Sequence, residues 1–483
     1  MAIIIVGLGP GDPKLITREV WDILQNAREI YLRTSKHPVV EFLPEGLKVH
    51  SFDHLYEEKE TFDEVYRAIA EEIVKLGERQ KDVIYAVPGN PMVGETTTRL
   101  ILEFASEMGL EVEVKEGISF LDSLFVLLRI DPLEGLQIVD ASELASHHFP
   151  KLDPDRPVIV GQLYDRFLAS QVKAVLLDLY PEEHSVTIVK GAGTSNPVIR
   201  ELPLYQLDRQ DDIDHLTSLY IPPLPEEGSL ISLQEIVAHL RAPDGCPWDR
   251  QQDHRSLRPY LLEESYEVLE ALDEDNPIKL RDELGDLLLQ VMLHAQIALE
   301  EGEFRPAEMI ASLIRKLKRR HPHVFGQVKV KDAEEVVVRW EIIKQKERGE
   351  ESQSFLLEGV PKALCALAQA QAYQRKAAQV RFDWDNVEGV WQKLEEEIKE
   401  LRAARTQEEL EKEVGDLLFT VANLARWLKV DAESALRMAN ARFASRFRHL
   451  EIEAKRKGKN LEELAPEEMD TLWEEAKGQE EEP

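Results

Sequence analysis

One acidic pattern occurs twice in this chain and constrains its folding more than any other feature. The first copy carries Glu263, Glu264 and Glu267, then Glu283-Leu284-Gly285-Asp286. The second carries Glu396, Glu397 and Glu400, then Glu413-Val414-Gly415-Asp416. The copies stand 133 positions apart at Glu263 and Glu396 but 130 apart at Asp286 and Asp416, so the connection between the acidic segments is shorter in the second. Repetition at this scale outranks any single motif. Each copy reads as two helices whose acids would hold a divalent cation against a phosphate.

Helical spacing puts Glu396 above Glu400, and Glu413 above Asp416, on common faces. Glu397 lies about 100° round from Glu396. Around the second pair, Val414, Leu417, Leu418, Val421, Ala422 and Leu424 leave one polar stripe of Glu413, Asp416, Thr420 and Asn423. The first copy repeats it with Glu283, Asp286, Gln290 and His294. A helix apolar nearly all round is expected inside a bundle. Carboxylates on a buried stripe are costly unless paired or metal-bound. All-oxygen ligands with no cysteine nearby favour Mg²⁺ or Mn²⁺ over Zn²⁺.

The spelling around these acids resembles the MazG family of nucleoside triphosphate pyrophosphohydrolases. The first copy matches through Leu240-Arg241-Ala242-Pro243-Asp244-Gly245-Cys246-Pro247-Trp248-Asp249, Gln252, His254, Leu262-Glu263-Glu264 and Arg320-His321-Pro322-His323-Val324-Phe325-Gly326. The second matches through Phe382-Asp383-Trp384, both acidic motifs, Asn423 to Arg426 and Asn440 to Phe447. The resemblance implies hydrolysis of a nucleoside triphosphate to the monophosphate and pyrophosphate. Its metal ligands would be Glu396, Glu397, Glu400, Glu413 and Asp416, with Glu263, Glu264, Glu267, Glu283 and Asp286 in the first copy. Glu397, turned off the main stripe, is the expected general base, with Glu396 beside it. Arg442 and Arg446 are expected on phosphate, Asn440 on the nucleotide and Trp384 against the base. Lys316 and Arg320 take the corresponding places in the first copy, where Ile314 replaces Asn440. The second copy is therefore expected to be the better catalyst. Trp248, Gln252 and His254 are candidates for a base pocket in the first.

Composition narrows the classes further. The chain has 483 residues, room for three ordinary domains, and a formal charge of −33. That charge opposes binding of DNA, RNA or anionic lipid, though not of nucleotides carrying Mg²⁺. Cys246 and Cys365 are the two cysteines, so a reducing cytoplasm is expected. No apolar run is long enough to span a membrane.

The first half alternates strands and helices. Strands are expected at 2–6, 30–32, 82–87, 158–161, 185–190 and 218–221, and helices at 17–27 and 64–75, giving an α/β half with a parallel or mixed sheet. Gly7, Gly9 and Gly11 would let backbone approach a ligand. The loops Gly7 to Asp12, Pro88-Gly89-Asn90-Pro91, Glu116-Gly117-Ile118-Ser119 and Lys190-Gly191-Ala192-Gly193-Thr194 together resemble the tetrapyrrole methylase family. The end of this half resembles that family's MazG-fused branch, the YabN-like proteins. The resemblance implies two α/β subdomains with S-adenosylmethionine between them, on Gly7, Gly9, Gly11, Asp12, Pro88, Gly89, Asn90, Gly117, Ser119 and Gly193. A tetrapyrrole-like acceptor is implied by the family name alone. Asn90 and Glu116 depart from the family's usual residues.

The prolines of Ile221 to Ser229 mark the boundary with an all-α half. The domains expected are 1–223, methylase-like, then helical repeats at 230–350 and 356–478. A capping box is expected at Ser232 and Glu235, helices at 261–272, 306–320, 334–346, 360–376, 391–404, 408–428 and 432–455, a linker at 347–353 and a disordered acidic tail after Gly478. A homodimer is expected. Two further classes stay open: a methyltransferase whose helical half is regulatory, and a ligand-sensing adaptor.

Overall fold

The computed structural model describes residues 3–79, 82–347 and 355–481. The chain divides into two compact units, Met1–Gln251 and Gln252–Pro483.

The first unit contains two five-stranded sheets. β1 (Ile3–Gly7), β2 (Glu29–Leu32), β3 (Lys48–Ser51), β4 (Val83–Val87) and β5 (Val112–Lys115) form an all-parallel sheet in the order β3-β2-β4-β1-β5. Its central strand β4 reads Val-Ile-Tyr-Ala-Val and is buried throughout, as a parallel strand covered on both faces must be. The second sheet runs β6 (Gln137–Asp140), β7 (Val158–Gly161), β10 (Thr217–Ile221), β8 (Ser185–Lys190), β9 (Val198–Pro203). Only β6–β7 pair in parallel there; the other pairs are antiparallel. The four strands that hydrophobic runs do not announce, β3, β5, β6 and β9, are the four sheet edges. Edge strands are half-exposed and need no continuous apolar stretch.

The helix Leu230–Arg241 belongs to this unit. Its N-cap is Ser229, whose Oγ accepts from the Ser232 N–H at 3.0 Å, rather than the expected Ser232. Ser232 is occupied elsewhere: its hydroxyl donates to Asp155 at 2.5 Å, and the Gly228 and Ser229 N–H groups donate to the same carboxylate.

The second unit is helical. Arg258–Asp273 and Pro277–Glu300 form the first helix pair; Val387–Ala403 and Gln407–Trp427 form the second. Tight turns separate the members, with Asn276 and Thr406 as N-caps. The repeats touch through Arg437, which donates to Asp273 at 2.6 Å, and through Tyr266 and Cys365 at 2.8 Å. The expected helix from Val360 starts at Ala366, after Pro361 and a 3₁₀ turn. Glu347 ends the helix Ala333–Glu347, and the rest of the expected linker lies outside the described residues. Where a disordered tail is expected after Gly478, the helix Pro466–Glu481 continues to Glu481, and residues 482–483 lie outside the described residues. The stripe helices also depart from expectation. Leu284, Val414, Leu418 and Phe419 are 43–52% exposed, because the helices of one chain cover only part of their apolar circumference. Among the described residues no helix is long and apolar enough to cross a membrane.

The Asp155 carboxyl is held down to about 2: burial works against its charge, but hydrogen bonds from Ser232, Ser229 and Gly228 outweigh it. A depressed carboxyl stabilises the fold above its ordinary range and ceases to do so as pH falls through its folded value. Protection factors of the amides over residues 228–236, relative to their intrinsic exchange rates, should therefore fall as pH drops from about 4 towards 2. Asp155→Ala should produce the same loosening at neutral pH while leaving the amides of β7 protected.

Candidate functional site

In the second repeat, Glu397, Glu413 and Asp416 bring carboxylate oxygens within 4.8 Å of one another. In the first repeat, Glu264, Glu267 and Glu283 do so. Asp286 and Glu400 stand beside these groups, close enough to act electrostatically on Glu264 and to be acted on by Glu397 and Glu413 respectively. Each repeat thus points the same register position, Glu264 or Glu397, across to the neighbouring helix. Glu397 is 4% exposed, whereas Glu396 and Glu263 face outward. Glu397 is therefore not turned away from the cluster: side-chain spacing defines a helix face but does not say which face meets the partner helix.

Crowded acids must find countercharge or keep protons. Lys393 bonds both Glu396 and Glu397 at 2.8 Å, and Lys412 bonds Glu413 at 2.8 Å and Asp416 at 3.3 Å. Burial, then the charges of Glu397 and Glu413, push the Glu400 carboxyl above its ordinary range. In the first repeat, burial followed by Glu267 raises both Glu264 and Glu283, and Asp286 contributes to each. Glu397 Oε2 and Glu413 Oε2 are buried and have no hydrogen-bond partner among the described residues. Leaving such an atom unpaired costs on the order of 1–3 kcal/mol, and more when charged. Converging carboxylates with orphaned oxygens fit an oxygen-seeking divalent cation.

The expected substrate contacts are less concentrated. Asn440 and Arg442 lie on Ala432–Arg456, with Arg442 exposed. The Arg446 guanidinium lies 5.7 Å from the centre of the Trp473 ring. Trp384 packs over Gly389, where a Cβ would meet its ring at 2.9 Å. Lys316 is exposed, but Arg320 is engaged, donating to Glu347 at 3.0 Å. That pairing, opposed by burial and aided by Arg319, holds the Glu347 carboxyl at about 2.

In the first unit the loops following β1 and β4 meet at the C-terminal edge of the parallel sheet. Gly9 and Gly89 exchange N–H···O bonds of 3.2 and 2.8 Å. A Cβ on Gly7 would stand 2.5 Å from the Gly89 carbonyl and 2.8 Å from Gly117 Cα. A Cβ on Gly193 would strike Pro10, and one on Gly11 would crowd Thr194. These glycines let loop pack on loop; they do not themselves make room for a ligand. Asn90 donates to the Gly117 carbonyl at 2.7 Å, the Asp12 N–H donates to the Gly193 carbonyl at 2.8 Å, and Ser119 caps the next helix. The ten expected cofactor residues thus form one connected loop cluster. Of these, Pro88 and Gly89 line the adjoining cavity of about 420 Å³.

The cavity's polar residues come from elsewhere and were not anticipated. Arg33 reaches Glu95 at 2.9 Å, and Glu95 also accepts from the Thr97 hydroxyl, which bonds Tyr85. Burial opposes the Arg33 charge, but Glu95 more than restores it. Asp53, despite burial, is held at about 2 by Ser35, Thr34 and Ser51. Burial, then Arg33 and His215, lowers His37 to about 4. Tyr56, Phe62, Tyr66 and Tyr164 supply the aromatic wall. The available sequence signal was an arginine directly after a buried strand and a glutamate opening a helix, neither of which is distinctive alone.

The family model for Tetrapyrrole (Corrin/Porphyrin) Methylases matches residues 2–208, and that for the MazG nucleotide pyrophosphohydrolase domain matches residues 252–325. The chain is 43% identical to the protein YabN of Bacillus subtilis (strain 168), covering 98% of each. It is 48% identical to the nucleoside triphosphate pyrophosphohydrolase/pyrophosphatase MazG of Thermotoga maritima, over 53% of this chain and 98% of that one. Among solved structures, the uroporphyrin-III-C-methyltransferase from Thermus thermophilus aligns at 18% identity and a TM-score of 0.37, over 46% of this chain and 94% of that one.

Mg²⁺ or Mn²⁺ should raise the melting temperature of the full chain. A site at a hundredfold excess over its dissociation constant adds about 2.7 kcal/mol. Replacing Glu264 and Glu397 together by Gln should remove the rise; an undiminished rise in that variant would place the cation elsewhere.

Proposed function

The chain belongs to the YabN family, in which a tetrapyrrole-methylase domain precedes a MazG nucleotide pyrophosphohydrolase half, and from that premise we propose that its helical half cleaves nucleoside triphosphates to monophosphate and pyrophosphate. The observation that carries this reading is the doubled carboxylate cluster with its orphaned oxygens on Glu397 and Glu413. Relatives named as nucleoside triphosphate pyrophosphohydrolases, 48% and 43% identical over about half of this chain, support it.

Glu397, Glu413, Asp416 and Glu400 would hold Mg²⁺ or Mn²⁺, as Glu264, Glu267, Glu283 and Asp286 would in the first repeat. When bound, the ion neutralises phosphate charge and acidifies water. Glu397, buried in the cluster with Oε2 unpartnered, would take the proton from water attacking the α-phosphorus, with Glu396 beside it. A general base of this kind contributes about 10²–10⁴-fold. Lys393 bonds Glu396 and Glu397 alike and so fixes their separation. The exposed Arg442 is free to meet phosphate, with Asn440 two positions before it on the nucleotide.

The first unit we read as a methyl-transfer domain, with S-adenosylmethionine against the glycine loops and a tetrapyrrole-like acceptor. The support is the loop cluster beside the cavity holding Arg33, Glu95 and Asp53. Domain limits of 1–223, 230–350 and 356–478 remain our division of the chain. The half-exposed apolar stripe helices support a homodimer, and two free cysteines support a reducing cytoplasm.

Pyrophosphate release from a panel of triphosphates, with Mg²⁺ and with EDTA, tests the main activity. Glu413→Gln combined with Glu283→Gln should abolish release while the circular dichroism of the chain is retained. Turnover unchanged in the folded double variant would remove both clusters from the reaction. Glu397→Gln should lower kcat by about 10²-fold or more.

A further inference from the structure

We propose that the cavity of the first unit receives a small, planar, uncharged molecule, which offers a carbonyl oxygen to Arg33 and an N–H or O–H to His37. This rests on the reading of that unit as a methyl-transfer domain. It replaces the tetrapyrrole-like acceptor, which the family name alone supplied, by one specified from the cavity itself.

The site is built at the edge where the parallel strands β2, β3 and β4 end. Arg33, Thr34 and His37 follow β2, Asp53 follows β3, and Glu95 caps the helix Thr96–Glu107 beyond β4. Asp53 ties the first of these segments in place. Its carboxylate accepts from the Thr34 hydroxyl at 2.6 Å, the Ser35 N–H at 2.9 Å and the Ser51 hydroxyl at 2.9 Å. His37 is anchored in turn by its ring bond to the Pro10 carbonyl. Arg33 and His37 are therefore held in position before any ligand arrives.

Each keeps hydrogen-bonding capacity on the cavity they share. Glu95 engages Arg33 through Nη1 at 2.9 Å, and Arg33 Nε has no hydrogen-bond partner among the described residues. A guanidinium carries five N–H groups, and this side chain is 21% exposed, so part of its donor fork is left for a ligand. Glu95, its side chain 2% exposed, cancels the charge of Arg33 and so favours a neutral carbonyl over an anion. His37 complements this donor. One ring nitrogen donates to Pro10 and Nδ1 is unpartnered. Burial, then Arg33 and His215, keep the ring neutral by lowering it to about 4. Such an imidazole offers a ligand only a lone pair.

The lining also sets charge and size. Histidines aside, its charged side chains are Arg33 and Lys36 against Asp53 and Glu95, so they balance. A corrin or porphyrin precursor, which carries several carboxylates, would find one exposed ammonium, on Lys36, and two carboxylates. A space of about 150 Å³ suits benzene. The cavity, about 420 Å³, is less than three of these, which falls short of four pyrrole rings with their acid chains. Phe62 and Tyr66 stack at 6.0 Å, with Tyr164 edge-on to Phe62 at 5.9 Å. That wall suits a flat ring.

The test titrates the full chain calorimetrically with carbostyril, N-methylcarbostyril and quinaldate. These fused-ring probes present, respectively, a carbonyl with an N–H, a carbonyl alone and a carboxylate. Carbostyril should bind at least tenfold more tightly than either of the others, and uroporphyrin, a tetrapyrrole bearing carboxylates, should not displace it. In His37→Leu the preference for carbostyril over N-methylcarbostyril should fall below threefold, with the N-methyl compound bound no more weakly than before. Arg33→Met combined with Glu95→Gln, which removes the ion pair whole, should weaken both carbonyl probes at least tenfold and serves if His37→Leu does not fold. No binding of carbostyril, equal binding of the three probes, displacement by uroporphyrin, a preference undiminished in His37→Leu, or unweakened binding in the double variant overturns the proposal. S-Adenosylhomocysteine is titrated separately. Its failure to bind overturns instead the methyl-transfer reading, and the probe series still decides what the cavity takes.

Discussion

The helical unit is organised by charge crowding. The helices of each pair pack together and bury apolar residues, among them Ala271, Met292 and Leu293 in the first repeat and Val390 in the second. Docking forces the intervening carboxylates to within 4.8 Å. The repeats then bear the same charge by different means. The second supplies Lys393 and Lys412. The first has Tyr260 and Asp282 at the corresponding positions, so its acids lack those ammonium groups and Glu264 and Glu283 are driven towards protonation. A cation entering the second repeat would displace ammonium groups as well as meeting the raised carboxyl of Glu400, whereas one entering the first meets two raised carboxyls, Glu264 and Glu283.

The first unit depends on a different contact, backbone against backbone. Gly7 ends β1 while Gly89 and Gly117 lie in two separate loops, and no side chain fits between the three. Two positions cannot accept even alanine: a Cβ at Gly7 or Gly117 meets the Gly89 carbonyl at 2.5 or 2.3 Å. Gly89 itself, at φ +68° with no atom within 4 Å of an added Cβ, faces open space. Close packing thus fixes the floor of the cleft and leaves the Gly89 turn as the surface presented to the cavity. This edge is where β1 and β4 end side by side while their onward connections run to opposite sides of the sheet, the position at which α/β sheets bind ligands.

Much of this was legible from residue order. Apolar runs located every central strand, and the repeated acids located both helix pairs and both carboxylate clusters. Edge strands were silent because exposure removes the pattern that announces a strand. The choice between Glu396 and Glu397 was unreadable because it depends on how one helix is rotated against another. Ser232 has the spacing of a capping box, but Asp155, 77 positions away, takes its hydroxyl. Arg33, His37, Asp53 and Glu95 converge from separate elements, so their association exists only after folding. The glycine loops were recognised as a group, but the reason for their glycines was not: the space they leave is filled by other loops.

The net charge of −33 sets a final constraint on the helical unit. A triphosphate approaching these carboxylates is repelled unless its charge is already reduced, so substrate and cation favour each other's entry. The same acids lie beside apolar surface, with Val414, Leu418 and Phe419 all more than two-fifths exposed. Water over that surface screens the carboxylates and weakens their hold on a cation. Covering it, as the proposed homodimer would, removes water and strengthens every electrostatic contact in the cluster. Apolar faces that look wasteful in a single chain thereby acquire a role: association and cation binding draw on one surface, and each favours the other.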